Sequence, residues 1–213
     1  IIRRSAKTEK YITVDVAREG RDFAVIMVWN GWEVVEIECY TSCDLKQIGD
    51  VVEKLRDKHG VGASNVIIDA DGMGPGVGDY SPGYRGFRAL HKAYNPDYEN
   101  QKTEIHYRTC TENINTGNIR INVTMENCKV DGKPAVEIAQ GNKVYDIKNL
   151  IKRQLRSIKR VNETDLHQRK RMIGKKEQMA ILQGMSPDFS DCIMLRKVPE
   201  LQAYGLYYDD FEP

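Results

Sequence analysis

The sequence predicts an α/β domain whose mixed sheet is flanked by helices. Tyr11, Ile12, Val14 and Val16 make a β-branched and aromatic run that stops at Arg18, Glu19 and Gly20. Leu45, Ile48, Val51, Val52 and Leu55 form the apolar stripe of an amphipathic helix, and Val66, Ile67 and Ile68 follow it as a continuous apolar strand of the covered, parallel type.

The elements fall in order along the chain. The first strand spans 11–17, and further strands cross Phe23 to Trp29 and Trp32 to Tyr40. Asp44 caps the helix from about Leu45 to His59, and Gly60 ends it. After the strand at 65–69, a loop carrying Gly72, Gly74, Gly76 and Gly78 leads to a short helix through Phe87 and Leu90. That loop lacks the lysine and hydroxyl of a P-loop. Ile105 to Tyr107 reads as a strand or a helix start. Ile119, Ile121 and Val123 alternate strictly, and a hairpin over Val130 to Ile138 turns on Asp131-Gly132. Ile147, Leu150, Ile151, Leu155 and Ile158 then recur at helical spacing. A strand-like Arg171 to Ile173 precedes the last helix, with Ser186 as N-cap, Pro187 at its first position and Cys192, Ile193, Met194 and Leu195 behind.

Acids stand at the ends of these elements. Asp15 sits inside a strand expected to be buried, where a carboxylate is costly unless it is paired or bound to a cation. Pairing with Arg18 or Arg21 and a ligand role are equally compatible with that position. Asp69 ends the apolar strand at a carboxyl edge, where open α/β sheets bind ligands, whereas Asp71 reads as a turn former. Asp188 lies in the first turn of the last helix, where the helix dipole alone favours an acid. Asp191, three residues on, shares its face and lies among apolar neighbours. Together these make an oxygen-only donor set suited to a hard cation, with no histidine or cysteine cluster beside it.

Composition narrows the class. A chain of 213 residues, 40% apolar and 30% charged, suits one α/β domain. No run approaches the ~20 apolar residues needed to span a bilayer, so a soluble, cytoplasmic protein is expected. Five cysteines without a CxxC spacing argue against a disulfide framework or a zinc site. Net charge is only +1, yet between Lys148 and Lys176 eleven lysines and arginines face two acids, Glu163 and Asp165. Local charge determines where a phosphate backbone lies. Lys152, Arg153, Arg156, Lys175 and Lys176 are therefore candidate DNA contacts, although a charge run is more often a solvated helix face.

Three antiparallel strands, a helix, a strand and a closing helix bearing acids form the ribonuclease H-like pattern. YITVDVAREGRDFAVI, IIDADGMGPGVGD, NQKTEIHY and GKKEQMAILQGMSPDFSDCIML together resemble the nuclease domain of phage terminase large subunits. The resemblance implies a five-stranded mixed sheet flanked by helices, in a single domain over 1–213, with 122–145 as an inserted hairpin. It implies an endonuclease that cuts concatemeric viral double-stranded DNA during packaging in the host cytoplasm, using one or two Mg²⁺ or Mn²⁺ ions. Asp15 and Asp69 match two of its metal ligands, and Asp188 or Asp191 the third. Lys102 and Glu104 fall in a family-like stretch and are expected to be structural. The implied partners are an ATPase domain of the same polypeptide, the portal and the small terminase subunit. No GxxxxGK[ST] occurs in this chain, so the ATPase is expected outside it. Two other readings are a resolvase- or transposase-type nuclease and an inert module that binds DNA or the portal.

Overall fold

The computed structural model describes residues 9–16, 22–42, 44–71, 83–161 and 169–208, without the side chains of Lys175 and 204–208. Arg18, Arg21, Cys43, the four loop glycines, Glu163, Asp165 and the side chain of Lys175 lie outside the described residues.

The sheet is built on β1 (Lys10–Asp15), β2 (Ala24–Asn30), β3 (Glu33–Tyr40), β4 (Val66–Asp69) and β5 (Arg85–Phe87), in the order β5-β4-β1-β2-β3. β1 pairs antiparallel with β2 and parallel with β4, so the expected mixed five-stranded sheet is present. It is widened beyond β3 by β6 (Arg120–Ile121), β7 (Cys128–Val130) and β8 (Lys133–Pro134). β7 and β8 form the expected hairpin on Asp131-Gly132, both at positive φ. A second ribbon, β9 (Glu137–Gln140) and β10 (Lys143–Asp146), stands apart from the sheet, although its Ile138 is buried in the main core.

Helices cover both faces. α1 (Leu45–His59) begins on Asp44, whose carboxylate accepts the Gln47 N–H at 2.7 Å, and ends on Gly60 at φ 65°. Its Ile48, Val52 and Leu55 pack on the even-numbered residues of β1, Ile12 and Val14, and on Ala24, Ile26 and Val28 of β2. The opposite face, with Tyr11, Val25, Met27, Trp29 and Ile67, is covered by α2 (Gln101–Arg108), α3 (Ile147–Ser157), α5 (Asp188–Leu195) and α6 (Val198–Tyr208). The short α4 (Lys175–Ile181) leads into α5. Among the described residues no helix is long and apolar enough to cross a membrane.

Three local expectations are corrected, and of the two alternatives for Ile105 to Tyr107 the helix is present. The stretch through Phe87 and Leu90 is not a helix. Arg85–Phe87 is an edge strand parallel to β4, and Leu90 is 82% exposed, so no apolar helical face exists there. Ile105 to Tyr107 lies within α2, capped by Asn100 and continued by a π-turn over Thr109–Ile114. Arg171 to Ile173 makes only an isolated bridge, Arg160 with Met172, not a strand of the sheet. Pro187 rather than Ser186 occupies the cap of α5, because Ser186 is buried against α3, its carbonyl accepting from Gln154 Nε2 at 3.0 Å.

Thr13 ties this architecture together. Its Oγ1 accepts the indole N–H of the fully buried Trp29 at 2.9 Å and lies 3.2 Å from Cys192 Sγ on α5. Thr13→Val keeps the shape but leaves the Trp29 N–H unsatisfied, and is expected to cost about 1–3 kcal/mol. Urea denaturation should show a lower midpoint with an unchanged m-value; an unchanged midpoint would contradict this role.

Candidate active site

Pairing register and strand alternation bring the acids together. In the parallel β1–β4 pair, Ile12, Thr13 and Val14 face Val66, Ile67 and Ile68, so the next step places Asp15 beside Asp69 at the carboxyl edge. Side chains alternate with period two, so Asp15 shares the face of Tyr11 and Thr13, and Asp69 that of Ile67. That is the face on which α5 packs. α5 starts at the same end of the sheet, where the Phe23 N–H, just ahead of β2, donates to Asp188 Oδ2 at 2.8 Å. Asp188 and Asp191, one turn apart, complete a group of four carboxylates drawn from three elements.

Burial and mutual repulsion dominate its electrostatics. The Asp15 carboxyl, 9% exposed, is held well above the ordinary range by desolvation and then by the charges of Asp191, Asp188 and Asp69. Desolvation, and the Asp191 charge, also raise Asp69. Asp188 is pushed up to about 7, mainly by burial, against hydrogen bonds from Ser186 and the Phe23 N–H. Asp191 goes the other way: despite its burial, the ammonium of Lys102 holds its carboxyl low.

α2 supplies that compensation. Lys102 and His106, four residues apart, present one face, with Lys102 Nζ 2.9 Å from Asp191 Oδ2 and His106 Nε2 3.3 Å from Asp191 Oδ1. The histidine contact is too poorly aligned to count as a hydrogen bond, and Asp191 Oδ1 is a buried oxygen without a hydrogen-bond partner. Burial lowers the His106 pKa, so the ring is neutral and Lys102 carries the positive charge. A cavity of about 20 Å³, room for one water, lies between Asp69, Lys102, His106 and Asp191.

The remaining candidates are placed differently. Lys102 is not the structural residue expected from its sequence context, because it is the counter-charge of this group. Glu104 is structural: fully buried, it accepts the N–H groups of Tyr94 and Asn95 at 2.8 and 3.1 Å. Asp71 acts in the turn after β4, its N–H bonded to Asp69 Oδ1 and its Oδ2 accepting the Ala89 N–H at 2.7 Å. No hydrogen bond or ion pair among the described residues joins Lys152, Arg153, Arg156 or Lys176 to the four carboxylates. Lys152, Arg156 and Lys176 are exposed and Arg153 half-buried. His106 was missed because an eight-residue helix with three charged residues gives no readable face.

No protein-family model matches the chain, and no curated protein matches it. Solved structures do. The nuclease domain of the large terminase subunit gp2 of bacterial virus Sf6 superposes with a TM-score of 0.60 at 16% identity, covering 90% of this chain and 88% of that one. A mutant of the same domain with manganese gives 0.58 at 14% identity, covering 90% and 88%. The large terminase nuclease of thermophilic phage G20c gives 0.54 at 13% identity, covering 90% and 82%. The fold is that of phage large-terminase nuclease domains. The ribonuclease H-like class expected from the order of elements is therefore present.

The raised carboxyls make stability pH-dependent in a defined direction. Asp15 and Asp188 bind protons more tightly folded than unfolded, so their contribution is intact below about pH 4 and is lost as pH rises through the folded values, about 7 for Asp188. Asp188→Asn keeps an acceptor for the Phe23 N–H and removes the charge. In chelator, its Tm relative to the parent should rise by about 3–6 °C between pH 5 and pH 8. Parallel Tm profiles across that range would show that Asp188 is not titrating there.

Proposed function

We propose that this chain is the nuclease domain of a phage terminase large subunit, a divalent-metal-dependent endonuclease that cuts concatemeric viral double-stranded DNA during genome packaging. The observation that carries this reading is the gathering of Asp15, Asp69, Asp188 and Asp191 at one sheet edge of a terminase-nuclease fold.

Among the described residues no three acidic, histidine or cysteine side chains are arranged as they stand to hold a metal ion. Two of the four carboxylates are turned to protein partners, Asp188 to the Phe23 N–H and Asp191 to Lys102. The donor chemistry nevertheless fits a hard cation. All donors are carboxylate oxygens, among the described residues only one ammonium offsets four acids, and Asp191 Oδ1 is buried without a hydrogen bond. Asp15, Asp69 and Asp191 would hold Mg²⁺ or Mn²⁺, with Asp188 fixing the start of α5. Asp191 is favoured over Asp188 as third ligand because its charge acts on both Asp15 and Asp69, whereas Asp188 also answers to Asp22. When bound, such ions supply Lewis acidity and an activated water for in-line attack on a phosphodiester.

The chain's own residues prepare for that chemistry. β1 and β4 hold Asp15 and Asp69 on strands rather than loops, which limits their freedom. Lys102 keeps Asp191 ionised. The cations of α3 and Lys176 give a basic surface suited to the phosphate backbone. On this reading the partners are double-stranded DNA, an ATPase domain of the same polypeptide, the portal and the small subunit, in the host cytoplasm.

Supercoiled plasmid with Mn²⁺ tests the reading. The parent chain should nick and linearise it. Asp15→Asn and Asp69→Asn should each lose more than the ~10–100-fold typical of an outer-shell substitution, and Asp188→Asn should stay within that range. Chelator should abolish cleavage. Preference for branched over linear duplex would favour a resolvase-type enzyme; no cleavage together with no Mn²⁺-dependent thermal shift would favour an inert binding module.

A further inference from the structure

A second cavity, of about 420 Å³, opens where the π-turn after α2 meets the end of α3, and it shares no lining residue with the carboxylate site. Its floor is apolar, formed by Ile114, Leu155, Ile158 and Met172. Its wall is cationic, formed by Arg156, Lys159 and Arg160, and among the described residues no carboxylate lines it. None of the three makes an ion pair among the described residues. Arg160 is preset: Nη1 donates to Tyr107 Oη at 2.8 Å, and its guanidinium sits over that ring, 4.9 Å from the centroid. Lys170 also lies 5.1 Å from the same centroid, and Tyr98 packs edge-on against Tyr107. The guanidinium is thus held by an anchored aromatic while remaining exposed.

We propose that this cavity receives one unpaired nucleotide of a DNA single strand, the base on the apolar floor beside Arg160 and the phosphate on Arg156 and Lys159. Three features select that ligand. Unpaired cations call for an anion, and phosphate is the anion matched by an arginine fork. A flat guanidinium backed by the Tyr107 ring and lining the same cavity as apolar side chains is a stacking place for a base, which a bare anion would not need. The volume is ample for one nucleotide, and a base that reaches the apolar floor has left its stack. This inference rests on the DNA-cleaving reading for its biological setting, since a strand held here would lie on the same domain as the carboxylates while touching different elements.

Methyl-resolved NMR of the full chain in chelator, where cleavage is silent, tests it. Thymidine monophosphate and a short oligothymidylate should shift the methyls of Ile114, Leu155, Ile158 and Met172 and leave those of Ile12 and Ile26 in the α1-side core unmoved. The oligonucleotide should bind more tightly than the mononucleotide. The double substitution Arg156→Glu, Lys159→Glu, confined to exposed side chains, should weaken binding at least ~10-fold without altering the core resonances. Absence of shifts at millimolar nucleotide would overturn the proposal. So would equal shifts from inorganic phosphate alone, which would reduce the site to a bare anion patch, or stronger shifts from an acidic peptide. Plasmid cleavage by Mn²⁺ is read separately, so either reading can fail while the other stands.

Discussion

Repulsion among four carboxylates, two buried and two half-buried, is the constraint around which this end of the molecule is organised. Desolvation opposes ionisation of each, and each neighbour adds to it, so three of the four titrate above the ordinary range. Such a group persists only if the scaffold over-determines its position. The sheet does so by hydrogen-bonding β1 on both sides, to β2 and β4, and by packing apolar residues on both of its faces. The alternation that sends Ile12 and Val14 toward α1 necessarily sends Thr13 and Asp15 toward α5. A one-residue slip in β1 would exchange those faces, burying the carboxylate under α1 and unseating the Thr13–Trp29 hydrogen bond.

What was readable from the chain follows from the same physics. Asp15 and Asp69 were legible because long apolar runs announce strands, and an acid ending such a run has few bland explanations. Asp188 and Asp191 were legible as a pair through their spacing, but choosing between them needed their partners: the Phe23 N–H for one, Lys102 and His106 for the other. Those partners are set by tertiary packing, 165 residues away in the case of Phe23 and 89 in that of Lys102. β5 was misread because three residues, Arg85–Phe87, bury only one side chain well and give no period to detect. The β9–β10 ribbon left a signal, Gly141-Asn142 between short alternating runs, which the stronger Asp131-Gly132 turn nearby overshadowed.

α2 shows how one short helix can serve two surfaces. Lys102 and His106 face the carboxylates, while Tyr107 and, after it, Thr111 and Ile114 face the basic cavity. The change to a π-turn at Thr109 adds a residue per turn locally, which rotates the later side chains away from the first face. The transition is costly enough to leave a trace: Thr109 Oγ1 is buried without a hydrogen-bond partner. Glu104 anchors the middle of the helix to the loop at Tyr94 and Asn95, so the orientation of Lys102 is inherited from a buried structural contact rather than from the site itself.

A second acidic group in the same molecule gives the internal control. Glu36 and Glu38 on β3 are also buried, but Lys58, His59 and Lys129 surround them: Glu36 lies 2.7 Å from Lys58 and 2.6 Å from His59, and Glu38 2.7 Å from Lys129. Burial still acts on Glu36, yet those partners outweigh it and hold the carboxyl at about 2. The fold can therefore neutralise clustered acids when their task is to join α1 and β7 to the sheet. At the carboxyl edge, among the described residues, it supplies one lysine for four aspartates and leaves Asp191 Oδ1 without a hydrogen bond. Replacing Asp15, Asp69 or Asp188 by a neutral isostere would relieve repulsion, so stability alone gives no reason for those three to stand beside Asp191. The contrast with β3 makes this deficit, among the described residues, a property of the site rather than of buried acids in general, and it is the deficit on which the proposed metal-dependent reading rests.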